Sequence, residues 1–388
     1  MTGPLAGLRV TELAGLGPGP FAAMLLADLG ADVVRVDRPT PAGLRLGSGA
    51  RADVVNRGKR SIAVDLKAAA GRDLVLDLVE RSDVLVEGYR PGVAERLGLG
   101  PGPCLARNGR LVYGRMTGWG QDGPLATVAG HDIDYIALTG ALWATGRADE
   151  RPVAALNLVG DYAGGSMFLV LGVLAALFET QRSGHGQVVD AAMVDGTAVL
   201  TTMFTALAGM GAWDLASRGT NALDSGAPFY EVYACADGRF VAVGALEPQF
   251  YALLVELTGF RDGDPDRLRQ PPPDQWVDHK RQWEQLWSTR SRDEWADLLA
   301  GTDACVQPVL DWSERLAHPH LAARGTFVEV DGVVQPAPAP RLSRTPGSVQ
   351  RRPPHPGEHT RVLAAELGLP AERVQAMLDD GVLAEGAS

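Results

Sequence analysis

The opening of the chain constrains the fold most. Leu8–Ala14 (LRVTELA) reads as a buried strand, and Pro20–Gly30 (PFAAMLLADLG) carries apolar residues at helical spacing. Asp32–Asp37 (DVVRVD) reads as a second strand. A strand, a helix and a strand in this order begin a parallel, doubly wound sheet. The connecting loop, Gly15-Leu16-Gly17-Pro18-Gly19-Pro20, is similar to a dinucleotide loop, but Pro20 stands where the third glycine belongs. Asp37 ends the second strand and Arg38 follows at once, so a nicotinamide site has weak support.

The alternation continues. A helix is expected over Ala69–Arg81, with strands at Asp83–Glu87 and Arg110–Arg115. The stretches after these strands, Gly88–Gly92 and Thr117–Pro124, are loops of the kind that bind ligands at the carboxyl ends of α/β strands. Met167–Phe178 reads as a buried helix too short to span a bilayer, and Gln187–Val194 as a strand. Residues 196–228 start helical and become rich in Gly, Asn and Asp, a linker composition. Beyond them Phe229–Ala234 and Arg239–Ala245 alternate around Ala236-Asp237-Gly238, a hairpin signal. Helices follow at Pro248–Leu257, Arg281–Ser288 and Arg292–Ala300, which makes a smaller α+β domain. The proline-rich 332–357 is expected to run extended over the surface, before helices at Thr360–Leu367 and Ala371–Asp379. The domains are thus 1–195 (large), 196–228 (linker), 229–318 (small) and 319–388 (linker and return to the large domain).

With 388 residues, 46% hydrophobic and 21% charged, the chain has an ordinary globular composition. A net charge of −11 argues against nucleic acid as a partner, and no segment reads as a membrane span or a secretory signal. Three scattered cysteines (Cys104, Cys235, Cys305) form no metal spacing and fit a reducing, cytoplasmic setting. The charge is uneven: Arg35–Lys67 carries a local +5. Such a stretch is either a solvated surface or a patch for a phosphorylated small molecule, whose oxygens accept charge-assisted bonds from Arg and Lys.

Two titratable residues stand among glycines at apparent helix starts, His131 in Gly130–Tyr135 and Asp161 in Asp161–Ser166. Glycine permits close approach of a ligand, and a helix start offers free N–H groups. A lone loop histidine is more often structural, and an aspartate before an apolar run is often only an N-cap. Read functionally, the two make a proton-transfer site.

The chain also resembles the family III coenzyme A transferases and, within them, the α-methylacyl-CoA racemases. The resemblance rests on the opening GPLAGLRVTELAGLGPGPFAAMLLADLGADVVRVDRP, on NRGKRSIAVDLK (56–67), DVLVEGYRPGVAERLGLG (83–100) and GRMTGWGQDGP (114–124). GHDIDYIALTG (130–140), LNLVGDYAGGSMFLVLGVLAAL (156–177), GQVVDAAMVDG and APFYEVYACADGRFVAVGALEPQFY carry it further. It implies an α/β fold in which a Rossmann-like large domain, built from the N-terminal half and the C-terminal tail, is paired with a small α+β domain. It also implies an interlocked homodimer.

The resemblance further implies interconversion of (2R)- and (2S)-2-methylacyl-CoA thioesters through an enolate. His131 would take the α-proton on one face and Asp161 would serve the other, with Glu247 orienting the imidazole. For coenzyme A it points to Arg38, to Val64, Asp65, Leu66 and Lys67, to Gly88, Tyr89 and Arg90, to Arg96, and to Gly130, Asp132, Ile133, Asp134 and Tyr135. Arg57, Lys59 and Arg60 either join this set or are surface charges. No separate cofactor and no metal is expected, because coenzyme A is part of the substrate. The alternative on the same fold is a coenzyme A transferase in which Asp161 is a nucleophile passing through a mixed anhydride; His131 discriminates, since that chemistry does not need the imidazole.

Overall fold

The computed structural model describes residues 3–40, 49 and 52–386. The chain divides into two compact units. One runs to Thr139, resumes over Leu156–Leu200 and takes up everything from His320 onward; the other comprises Gly140–Ala155 and Thr201–Pro319. Residues 196–228 are therefore split between the units; they carry the end of helix Met193–Leu200 and the whole of helix Thr202–Gly209.

In the first unit the strands are β1 (Arg9–Leu13), β2 (Asp32–Asp37), β3 (Arg60–Val64), β4 (Val84–Glu87), β5 (Val112–Thr117) and β6 (Gln187–Ala192). They pair in parallel in the order β3-β2-β1-β4-β5-β6, the order of a doubly wound sheet. Strand order reverses between β1 and β4, so a crevice opens beyond their carboxyl ends. Near-continuous burial of β1 to β5 explains their apolar runs, because helices cover both faces of such a sheet.

The helix after β1 spans Pro18–Asp28 and starts two residues before the apolar pattern, since Pro at the first position is preorganised and loses no bond. Gly17 precedes it at φ 70°, a conformation that favours glycine. The apolar run from Met167 is longer than its sequence suggests. It belongs to one helical run, Leu158–Ser183, long and apolar enough to cross a membrane by length and composition, although 44% of its most apolar window is buried. Its buried residues Leu169, Val173 and Ala176 join the core beneath the sheet with Val112 and Met116.

The tail does more than cross the surface. Residues Phe327–Val330 (β10) and Val333–Pro336 (β11) form an antiparallel hairpin, and Leu383–Ala384 (β12) pairs antiparallel with β3 as the sheet edge. These strands are too short to carry a period. Helices Thr360–Glu366 and Ala371–Asp379 bury Leu363, Val374 and Met377 against Val64 and Leu74.

The second unit holds Tyr230–Ala234 (β7), Phe240–Gly244 (β8) and Val306–Pro308 (β9), an antiparallel sheet, beneath helices Pro248–Thr258, Trp276–Trp287 and Arg292–Leu299. The middle helix begins five residues earlier than its apolar pattern indicates, after a turn at Pro273–Gln275. Trp283, Trp287 and Trp295 are fully buried, and Phe260 stacks on Trp283 at 3.7 Å.

A buried ion pair braces the first unit. Lys59 Nζ lies 2.7 Å from Glu12 on β1 and donates to the Pro20 carbonyl (2.9 Å) and to Asn56 Oδ1 (2.8 Å). Removing one partner of such a pair leaves an uncompensated buried charge. Lys59→Met is expected to cost about 3–5 kcal/mol by urea denaturation, and Glu12→Leu combined with Lys59→Met is expected to recover most of it.

Candidate functional site

His131 is the N-cap of helix Asp132–Leu138, with an extended φ of −133° and its side chain exposed. Its N–H donates to Asp134 Oδ2 at 2.9 Å, and the Asp134 N–H returns a bond to the His131 carbonyl at 2.8 Å. Two acids in this first helical turn complement its free N–H groups. Gly130 is dictated by packing, because a Cβ there would lie 2.7 Å from the Tyr135 ring and 3.0 Å from Trp119.

Asp161 lies within a π-helical stretch, Leu158–Met167, that runs into helix Phe168–Ser183. It is therefore not an N-cap but sits in the first turn. Its free N–H is satisfied across the fold by Asp132 Oδ1 at 2.7 Å. The wide π turn occurs where glycines crowd a neighbour: a Cβ on Gly164 would meet Thr197 Oγ1 at 2.6 Å, and one on Gly160 would meet Asp132 at 2.7 Å. Asp161 Oδ2 accepts from Asn157 Nδ2 at 3.0 Å. A Cβ on Gly17 would stand 3.5 Å from the same oxygen, so the glycine loop after β1 faces the carboxylate.

Burial pushes the Asp161 carboxyl above its usual range, and the Asp132 charge adds to the push; the Asn157 bond and the His131 side chain pull the other way and do not cancel it. His131, Asp132 and Asp161 thus form one electrostatic group. Asp132 is buried and its Oδ2 has no hydrogen-bond partner among the described residues.

Beside them is a cavity of about 200 Å³ at the point where strand order reverses. Leu16 and Gly19 line it from the β1 loop, Gly88, Tyr89 and Arg90 from the β4 loop, and Trp119 from the β5 loop, with Gly130 and Tyr135 closing it. Arg90 and Arg38 are exposed, and the Arg38 charge acts on the Tyr89 hydroxyl, which burial drives upward. Arg96 is exposed one turn beyond the β4 loop.

The other expected residues sit differently. Val64 and Leu66 are buried in the core under the tail helices, and of this segment only Lys67 is exposed. The Asp65 carboxylate accepts the Lys67 N–H at 3.0 Å. Ile133 is exposed, while the Asp132 and Asp134 carboxylates and the Tyr135 hydroxyl are committed to backbone groups. Glu247 is exposed in the second unit, as N-cap of helix Pro248–Thr258.

The basic stretch is corrected more sharply. Arg57 pairs with Asp28 at 2.6 Å, Lys59 with Glu12, and Arg60 with Asp32 and Glu366. Arg57 and Lys59 are buried in these pairs, and Arg60 is half-buried in its own. Asn157 and Trp119 were missed by sequence reasoning. An amide four residues before an aspartate on one helical face was the available signal for Asn157.

The raised carboxyl has a stability consequence. A folded-state pKa above the unfolded one favours the fold at low pH, and that gain is lost as pH rises through the folded value. Asp161→Asn is therefore expected to raise thermal stability relative to the parent at pH 7 and to lose that advantage near pH 4, measured by paired melting curves.

The model of the CoA-transferase family III matches residues 5–360. The chain is 44% identical over 384 residues to the alpha-methylacyl-CoA racemase of Homo sapiens, covering 98% of this chain and 97% of that protein. It is 32% identical to the succinate–glutarate CoA-transferase of Agrobacterium fabrum, over 94% of this chain and 96% of that one. Its fold is similar to the crystal structure of a CAIB/BAIF family protein from Brucella suis, with a TM-score of 0.80 and 27% identity over 95% of this chain and 100% of that one. With the sheet order and the sequence match running together along nearly its whole length, the chain belongs to the CoA-transferase family III.

Proposed function

We propose that this protein is a racemase of 2-methylacyl-CoA thioesters, working by two-base proton transfer between His131 and Asp161. The observation that carries the reading is the pairing of an exposed imidazole with a carboxyl whose proton affinity is raised by burial, both beside one cavity-lining loop. Neutral His131 accepts the α-proton, and the electron pair of the C–H bond moves into the thioester as an enolate. Protonated Asp161 donates to the opposite face of the same carbon. Imidazolium and carboxylate remain, which is the state that runs the reverse reaction. The raised Asp161 pKa supports its acid form at the start of this cycle.

The substrate's coenzyme A is assigned to Arg38, the Val64–Lys67 segment through its exposed Lys67, the Gly88–Arg90 loop, Arg96 and the backbone of the Gly130–Tyr135 segment. No separate cofactor is required, because the thioester itself acidifies the α-carbon. Glu247 is proposed to orient His131. An interlocked homodimer is supported by the exposed Met167, Leu171 and Phe178, which stand 52%, 63% and 66% exposed on one helical run. A cytoplasmic location rests on three unpaired cysteines. The coenzyme A transferase reading remains the second, favoured by relatives named as such at 30–32% identity and by the suitability of Asp161 as a nucleophile.

Incubating the protein with (2R)- or (2S)-2-methylacyl-CoA in deuterated water is expected to place deuterium at the α-carbon without an acceptor acid. Lack of label, together with acid-dependent transfer of coenzyme A, would replace this reading with the transferase. His131→Ala is expected to reduce exchange by at least about 10²-fold while leaving coenzyme A binding intact by calorimetry.

A further inference from the structure

The peptide group that joins Gly130 to His131 is held at both ends from the helix that follows it. Its N–H donates to Asp134 Oδ2 at 2.9 Å, and its C=O accepts the Tyr135 hydroxyl. Tyr135 cannot easily shift. Its ring is buried against Gly118, where a Cβ would lie 2.1 Å away, and against Gly130, where it would lie 2.7 Å away. Trp119 packs edge-on to the ring at 4.7 Å and 85°. The imidazole of His131, by contrast, is exposed.

We infer that Asp134 and Tyr135 are positioning residues that set the orientation of the His131 Cα–Cβ bond, and that neither side chain contacts coenzyme A. An exposed imidazole, whatever else orients it, takes the direction of its Cα–Cβ bond from its backbone. With the preceding peptide clamped, freedom is left mainly at χ1 and χ2. The cost of a loose catalytic group falls on the chemical step, since misplacement by about 1 Å can cost about 10² in rate. The two side chains lie in a segment otherwise expected to bind the ligand, so their roles separate by kinetics.

This inference rests on the racemase reading, and the test separates the two. Steady-state α-proton exchange is measured for the parent, Tyr135→Phe, Asp134→Ala and Asp134→Asn. Tyr135→Phe and Asp134→Ala are expected to lower kcat by about tenfold or more, with KM and the Kd for coenzyme A changed by less than about twofold. Asp134→Asn keeps an acceptor oxygen and is expected to retain most of the activity. Unchanged kcat, or a raised KM at constant kcat, overturns the inference, the latter by making these side chains ligand contacts. If the parent shows no exchange, the racemase reading fails, and the clamp is judged instead on the His131 imidazole resonance in protein carrying 13C-labelled histidine. A shift or broadening in Tyr135→Phe, with the melting temperature preserved, supports the clamp whatever the reaction; an unaltered resonance overturns it.

Discussion

The bond from the Asp161 N–H to the Asp132 carboxylate is the contact on which the site depends. It ties two helix starts that are 29 residues apart in the chain. One start carries His131 as its N-cap, the other carries Asp161 in its first turn. A helix start has free N–H groups that must be satisfied, and here one such group is met by the first residue of another helix. The same contact puts a second carboxylate beside Asp161 and so helps raise its proton affinity. Geometry and acidity therefore come from one side chain.

Glycines make this closeness permissible. Gly17, Gly118, Gly130 and Gly160 each border Asp161, Tyr135 or Asp132 at distances where a Cβ would crowd or touch them. The β4 and β5 loops reach the same region because the order β3-β2-β1-β4-β5-β6 places their ends beside the β1 loop. Beneath them, Lys59 bonds the Pro20 carbonyl while paired to Glu12, anchoring the first turn of the helix that the glycine loop enters. Part of the charge that reads as a ligand patch along the chain, Arg57 and Lys59, is spent inside the protein.

Much of the fold was legible. β2 and the helix Ala371–Asp379 were read to the residue, because a strand buried on both faces shows as a short apolar run and an amphipathic helix has a clear local period. The hairpin at Phe327–Pro336 and the two-residue edge strand at Leu383 were not, since pairing partners decide them. The assignment of Gly140–Ala155 to the second unit also has no local signature. His131 and Asp161 were visible by residue type and glycine context, and their neighbours were only partly so. Asp132, Asp134 and Tyr135 were read as ligand contacts. Only the fold shows that Asp132 Oδ1, Asp134 Oδ2 and the Tyr135 hydroxyl bond backbone groups.

The sequence by itself determined a parallel sheet opening, the order of helices and strands, the two titratable residues, and membership of a family whose motifs run through the chain. These follow from short-range periodicity and residue chemistry. Only the tertiary structure decided that Arg57 answers Asp28 and Arg60 answers Asp32 and Glu366. It alone decided that Asn157 and Asp132 surround Asp161, and that the cavity opens where strand order reverses. The reason is physical: a charge in a chain has many partners in reach, and packing selects one by burying the pair where no other can approach.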